Sequence, residues 1–243
     1  TYFQPIVPGH DPGQVYGYEC LLRGHEPGGD EIPPSRLFTA ARDADLLPLL
    51  DHVARMTAIR TFSQTEAHTQ SCVFIKMNPR SMSDPLRCPQ STLRATLCSG
   101  ISLDRFVFEI VESDQIEDLE GLTRILDYCR EAGCRVALHD IGAGYNSLTL
   151  LSTIKPDFVK LDMGLIRNVD RDPSKGQVAD KLLEMARDLD VRTVVEGIES
   201  EGEWKWSARN GADFVQGFFF SRPAADPPKV RLANALCNAW GIR

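Results

Sequence analysis

Polar side chains recur in or just beyond short apolar runs of this sequence: Glu19, Asn78, Glu109, His139 with Asp140, Lys160 with Asp162, Glu196 and Gln216. Any one of them also reads as a cap or a loop group, since exposed carboxylates are common. The set reads differently. Carboxylates, an amide and a lysine brought together would repel and desolvate one another unless cations occupied the middle. Oxygen donors of this kind suit hard divalent ions such as Mg²⁺ or Mn²⁺. A carboxylate-rich two-metal site is in turn a common device for attacking a phosphodiester.

Bringing these groups together requires a fold that gathers strand ends. Runs rich in β-branched and aromatic residues occur at 2–7, 15–23, 72–78, 106–112, 135–141, 158–162, 192–198 and 214–220. From the third onward they alternate with helix-like segments, such as 115–133, 176–190 and 201–212, whose apolar positions keep helical spacing. Strict alternation implies βαβ units and a parallel sheet, and about eight units in one domain suggest closure into a barrel. Only "PGHDPGQ" separates the first two runs, too short for a crossover helix, so they should pair antiparallel. The expected fold is α/β, a TIM-barrel-like (β/α)8 with an irregular, antiparallel first strand. In such a barrel the carboxyl ends of the strands carry the chemistry, because loops and inward side chains converge there.

Composition limits the partners. The 243 residues are 42% hydrophobic and 25% charged, enough apolar material for one large core. The expectation is a single domain over 1–243, excised from a longer signalling protein, since the chain starts at Thr1 directly in a strand-like run. A net charge of -7 argues against broad binding to duplex nucleic acid or an anionic membrane surface. Seven cysteines without a CxxC pair suit a reduced cytoplasm better than a disulfide framework or zinc ribbon. No apolar run approaches the roughly 20 residues that span a bilayer, although a longer parent protein is free to carry an anchor.

The segment "ECLLR" at 19–23 resembles the signature of EAL domains, the bacterial phosphodiesterases that cut cyclic di-GMP, with Cys20 where alanine usually stands. "FQPIV", "MNPRSM", "FEIVES", "HDIGAGYNSL", "PDFVKLDM", "VVEGIES" and "QGFFFSRP" match further family motifs in order, so the likeness covers nearly the whole chain. The resemblance implies metal ligands at Glu19, Asn78, Glu109 and Asp140. It assigns Lys160 and Glu196, with Glu19, to catalysis, and Glu196 also to the second metal. Gln4, Leu21, Arg23 and Gln216 fall on ligand-contacting positions, and a guanidinium such as that of Arg23 offers a phosphate a planar fork. Glu112 matches a glutamate that steadies the loop containing Gly142 and Gly144, through which the family couples homodimer contacts to the metals. Two Mg²⁺ or Mn²⁺ sites, and sensory or GGDEF-type domains in the parent protein, are also implied.

The sequence departs from the family at His139, which stands where the first of two aspartates usually bridges both metals. A carboxylate can bridge two cations, whereas neutral imidazole binds one through one nitrogen. Three readings remain: His139 binds a single metal; it leaves a pocket that holds cyclic di-GMP without hydrolysing it; or it packs against the barrel wall. The expectation is hydrolysis to linear pGpG at a rate reduced by His139 through a weakened second metal site. The alternatives are an inactive cyclic di-GMP receptor and, from another class, a Schiff-base aldolase using Lys160. Of the remaining segments, "GAG" at 142–144 reads as a turn, or as a backbone cradle for phosphate; "EPGGDEIPPS" at 26–35 reads as a loop without chemistry, "GFFF" at 217–220 as barrel interior and wall, and one of Trp204 and Trp206 as core.

Overall fold

A computed structural model describes residues 1–79, 87–111, 116, 118–142 and 147–230. The chain opens with β1 (Tyr2–Pro8) and β2 (Gly17–Leu21), then a small hairpin of β3 (Gly24–His25) and β4 (Glu31–Ile32). Next come α1 (Pro34–Asp43), α2 (Leu47–Ser63), β5 (Cys72–Met77), α3 (Arg87–Cys98), β6 (Phe106–Ile110), α4 (Leu119–Glu131), β7 (Arg135–Ile141) and α5 (Ser147–Ile154). The described part ends with β8 (Phe158–Leu161), α6 (Met163–Ile166), α7 (Pro173–Asp188), β9 (Arg192–Val195), α8 (Glu201–Arg209) and β10 (Phe214–Val215).

Eight of these strands close a barrel in the order β1-β10-β9-β8-β7-β6-β5-β2. β1 runs antiparallel to both of its neighbours, and every other pairing is parallel. The antiparallel start follows from the short turn between the first two runs, which allows a hairpin and nothing else.

Two apolar layers hold the barrel. Outward residues such as Phe3, Phe106, Phe108, Leu126, Ile166 and Trp204 pack between strands and helices. Trp204 is fully buried and donates its indole N–H to Gly9 O at 2.8 Å, so it is the core tryptophan, while Trp206 is only partly buried. Inside the barrel a second cluster of Ile6, Phe74, Val107, Ala137, Phe158, Val194 and Phe214 fills the amino-terminal half.

One strand is shorter than its sequence suggests. The run at 214–220 contributes only Phe214–Val215 to the ladder. Gln216 still bonds to the sheet through its N–H to Val195 O, but at Gly217 the chain presses against Ile198, where an added Cβ would lie 2.0 Å from a carbonyl oxygen. The chain turns there, and Phe219 and Phe220 pack on Trp204 while Phe218 is exposed. "GFFF" is therefore a turn over the barrel mouth, not interior wall.

Candidate active site at the carboxyl end of the barrel

Side chains alternate across a strand with a period of two. The inward positions one stride beyond the apolar plug therefore form a second ring: Gln4 on β1, Glu19 on β2, Lys76 on β5, Glu109 on β6, His139 on β7 and Lys160 on β8. Glu196 and Gln216, each just past its strand, complete it. All but Lys76 and Glu196 are buried.

Lys160 sits at the centre with its Nζ 2.6 Å from Glu109 Oε1, 2.6 Å from Glu196 Oε1 and 3.2 Å from Glu19 Oε2. Gln216 Nε2 donates to Glu19 Oε2 at 2.6 Å and to Gln4 Oε1 at 3.1 Å. Lys76 Nζ lies 2.9 Å from the other Glu19 oxygen, Oε1. His139 turns its Nε2 toward Glu196 Oε1 at 3.4 Å and Glu19 Oε1 at 4.0 Å. Its Nδ1 is 2.7 Å from Asp140 Oδ1, close enough for charge pairing although the angle is too poor for a well-formed hydrogen bond.

A local distortion aims this pair. The β7–β8 register shifts between Leu138 and Ile141, and Asp140 takes a φ of 61°, strained for a residue with a Cβ. Gly142, at φ 102°, then turns the chain out of the strand as only glycine does readily. His139 faces the cavity as a result, and the wall-packed reading does not hold.

The electrostatics separate two buried glutamates. Burial alone would push the Glu19 carboxyl up, but the ammonium groups of Lys160 and Lys76, with His139, hold it well below the usual carboxylate range. At Glu109 burial wins: with the Glu19 charge adding to it, the carboxyl is raised despite Lys160. Burial opposes the charge on Lys160, yet Glu109, Glu19 and Glu196 together raise it well above the ordinary lysine value. Burial also pulls His139 down, the largest single effect, but Glu196 and Asp140 together outweigh it, so the imidazole is raised.

These residues fit a divalent cation. Glu19, Glu109 and His139 offer ligand atoms within 4.8 Å of one another, as do His139, Asp140 and Glu196. Glu19 Oε1 and Glu109 Oε2 are buried carboxylate oxygens without a well-formed hydrogen bond, a costly state that an ion would relieve.

Above the ring is a cavity of about 380 Å³ lined by Gln4, Glu19, Leu21, Lys76, His139, Asp140, Asp162, Glu196, Gln216 and Phe218, among others. Arg23 is not on this lining. It faces a neighbouring cavity of about 140 Å³, where its Nε pairs with Glu31 Oε1 at 3.1 Å and its guanidinium stacks over Tyr2. The stretch 26–35 thus supplies a charge partner after all. Asn78, just past β5, donates its backbone N–H to Asp51 Oδ1, and Asp51 is paired with the fully buried Arg55. Glu112 and Gly144 lie outside the described residues. A larger groove, about 770 Å³, lies outside the barrel between α5 and α7, lined by Leu148, Leu151, Met185 and Leu189; among the described residues no metal-type cluster adjoins it.

Sequence reasoning missed three contributors. Lys76 stands two residues after Phe74 in an apolar strand, and that parity was the available signal. The Asp51–Arg55 pair under the β5 loop has only its spacing of four to mark it. Glu203 is the third residue of a capping box with Ser200, a pattern legible as S-x-x-E, and it accepts the N–H groups of Asn168, Glu199 and Ser200, fixing the loop that follows Glu196.

The EAL domain family model matches residues 1–223. The probable cyclic di-GMP phosphodiesterase PdeG of Escherichia coli K12 is 29% identical over 231 residues, covering 91% of this chain and 44% of that protein. This chain spans under half the length of the curated relatives it matches. Among solved structures, a standalone EAL protein from Vibrio cholerae O395 in its c-di-GMP bound form superposes with a TM-score of 0.83 at 30% identity, covering 95% of this chain and 94% of that one. BlrP1 of Klebsiella pneumoniae, in a manganese and cyclic di-GMP complex, gives 0.81 at 28%, covering 92% and 55%.

Proposed function

This chain belongs to the EAL domain family, and on that premise we propose that it binds cyclic di-GMP over the carboxyl end of its barrel and hydrolyses it to linear pGpG with a divalent cation, at a rate reduced by His139. The observation that carries the reading is the inward ring, in which a buried lysine is surrounded by three glutamates, with Glu19 Oε1 and Glu109 Oε2 left without well-formed hydrogen bonds.

Mg²⁺ or Mn²⁺ would be held by Glu19 and Glu109, with Asn78 as the family resemblance implies, and a second, weaker ion by His139, Asp140 and Glu196. Such an ion supplies charge stabilisation for the oxygens of a phosphodiester. The chain's own residues do the rest. Gln216 clamps Glu19 Oε2 and so leaves Oε1 to Lys76 or to an ion. Glu196, whose side chain is 13% exposed, is the ring carboxylate placed to take a proton from an attacking water. Lys160 holds Glu196 and Glu109 in position and keeps a positive charge next to the reacting phosphate. Gln4, Leu21 and Gln216 line the cavity for the dinucleotide, and Arg23 reaches a phosphate only by releasing Glu31.

A Schiff-base reading of Lys160 requires a neutral amine, and three carboxylates act in the opposite direction. The receptor reading rests on His139, since an imidazole in place of a bridging carboxylate removes a negative charge and a bridge. Hydrolysis assays separate it from the enzyme. We expect slow turnover in Mg²⁺, partial recovery in Mn²⁺, and a gain of about 100- to 1000-fold on His139→Asp, equivalent to about 3–4 kcal/mol. Cyclic di-GMP binding without turnover by either protein, in either metal, leaves the receptor. No binding in calorimetry with Mn²⁺ present removes the whole reading.

In this reading the chain is one EAL-type barrel of a longer signalling protein, with sensory or GGDEF-type domains beside it and the barrel in the cytoplasm. Among the described residues no helix is long and apolar enough to cross a membrane. A homodimer would use the face of α5, where Leu148 is 57% exposed beside the apolar groove with α7.

A further inference from the structure

We propose that Lys76 is a built-in counter-ion that competes with the divalent cation for Glu19 Oε1 and thereby weakens metal binding. The proposal rests on the cluster being a metal site, and not on which dinucleotide it serves.

Its basis is the division of labour at Glu19. Oε2 is already taken, accepting from Gln216 at 2.6 Å with Lys160 Nζ 3.2 Å away. Oε1 is the oxygen left for an ion, buried and without a well-formed hydrogen bond, and Lys76 Nζ stands 2.9 Å from it. The two lysines of the ring differ in how firmly they are held. Lys160 is fully buried among three carboxylates and has nowhere to go. The Lys76 side chain is 40% exposed, lines the cavity and has one ion-pair partner among the described residues. It is a displaceable cation on a flexible four-carbon stem. In the ring, three carboxylates face two ammonium groups, so an entering ion meets a cluster whose charge is largely compensated. To coordinate Glu19 it must first displace Lys76 and then tolerate that ammonium nearby.

Mn²⁺ binding without any nucleotide tests this, read as loss of the free-ion signal in electron paramagnetic resonance. Lys76→Met should bind Mn²⁺ about 10- to 100-fold more tightly than the unsubstituted protein. Lys76→Arg, which keeps the charge, should remain weak. Equal or weaker affinity in a folded Lys76→Met protein, or no saturable binding by either, overturns the proposal. Should the Met variant not fold, the unsubstituted protein decides: saturating Mn²⁺ should speed reductive methylation of Lys76 seen by mass spectrometry, and an unchanged rate refutes displacement. Cyclic di-GMP is absent throughout, so failure to bind or cleave it in separate calorimetry and hydrolysis assays leaves this result standing.

Discussion

Phe74 and Lys76 leave β5 on the same face, one stride apart, and they belong to different environments. The same step separates Gly17 from Glu19, Val107 from Glu109, Ala137 from His139, Phe158 from Lys160, Val194 from Glu196 and Phe214 from Gln216; on the reversed β1 it separates Ile6 from Gln4. The lower ring is closed by Tyr16, stacked on Phe214 at 4.1 Å, with its hydroxyl accepting from Arg135 and Arg192. Burial, with Cys72 beside it, pushes that phenol up to about 12, so it stays neutral. Arg192 also lies 4.1 Å over the Phe158 ring. The Tyr16 hydroxyl of the lower ring is thus satisfied by its neighbours. The upper ring, built on the same strands, leaves Glu19 Oε1, Glu109 Oε2 and Gln216 Oε1 without well-formed hydrogen bonds. The difference shows how one backbone carries both a stable plug and a site that awaits a ligand: the rigidity comes from below, and the unmet demand is confined to one layer.

Breaking the upper ring at its centre should give the largest effect. Lys160→Met leaves three carboxylates without their shared cation. It should cost about 3–5 kcal/mol in the metal-free protein and abolish measurable turnover. Saturating Mn²⁺ should restore part of the stability in urea titrations, and a cost that ignores Mn²⁺ would mean the two rings do not differ as described. Phe158→Ala, one stride below, should also cost about 3–5 kcal/mol through cavity formation. Here the loss should be the same with and without metal, which sharpens the contrast.

Tyr16→Phe removes the acceptor shared by Arg135 and Arg192 while keeping the ring stack, and should lower stability by about 1 kcal/mol with cyclic di-GMP affinity unchanged. Altered affinity would show that the closed end communicates with the open one. A similarly small effect, but one that depends on pH, belongs to Glu203. Burial would raise its carboxyl, but the N–H groups of Asn168, Glu199 and Ser200, with Arg167, lower it below the usual value. A depressed folded-state value contributes stability above the ordinary glutamate range near about 4.3 and loses it as pH falls through the folded value. Glu203→Gln should therefore cost about 1 kcal/mol at neutral pH, and the difference from the unsubstituted protein should shrink on acidification. A difference that grows in acid would contradict that assignment.

The sequence by itself determined the eight strands of the barrel, the alternation of the later ones with helices and the antiparallel start, because period-two and helical patterns and a short turn are local properties of the chain, whereas the small β3–β4 hairpin went unread. It also marked Glu19, Glu109, His139, Lys160, Glu196 and Gln216 as candidates, since each alone also reads as a cap or loop group but their recurrence at successive strand ends reads as one set. Contacts across the barrel were decided only by the tertiary structure. Gln216 meets Glu19 across 197 positions of chain, which orients a carboxylate and decides which oxygen stays open. Arg23, on a ligand-contacting position by resemblance, is paired with Glu31, because the hairpin of β3 and β4 places that carboxylate beside it. β10 ends early because Ile198 meets Gly217, and Lys76 became part of the site because closure points its strand face at Glu19. Pattern reports which face a residue occupies, while the partner it meets there depends on how distant strands close upon one another.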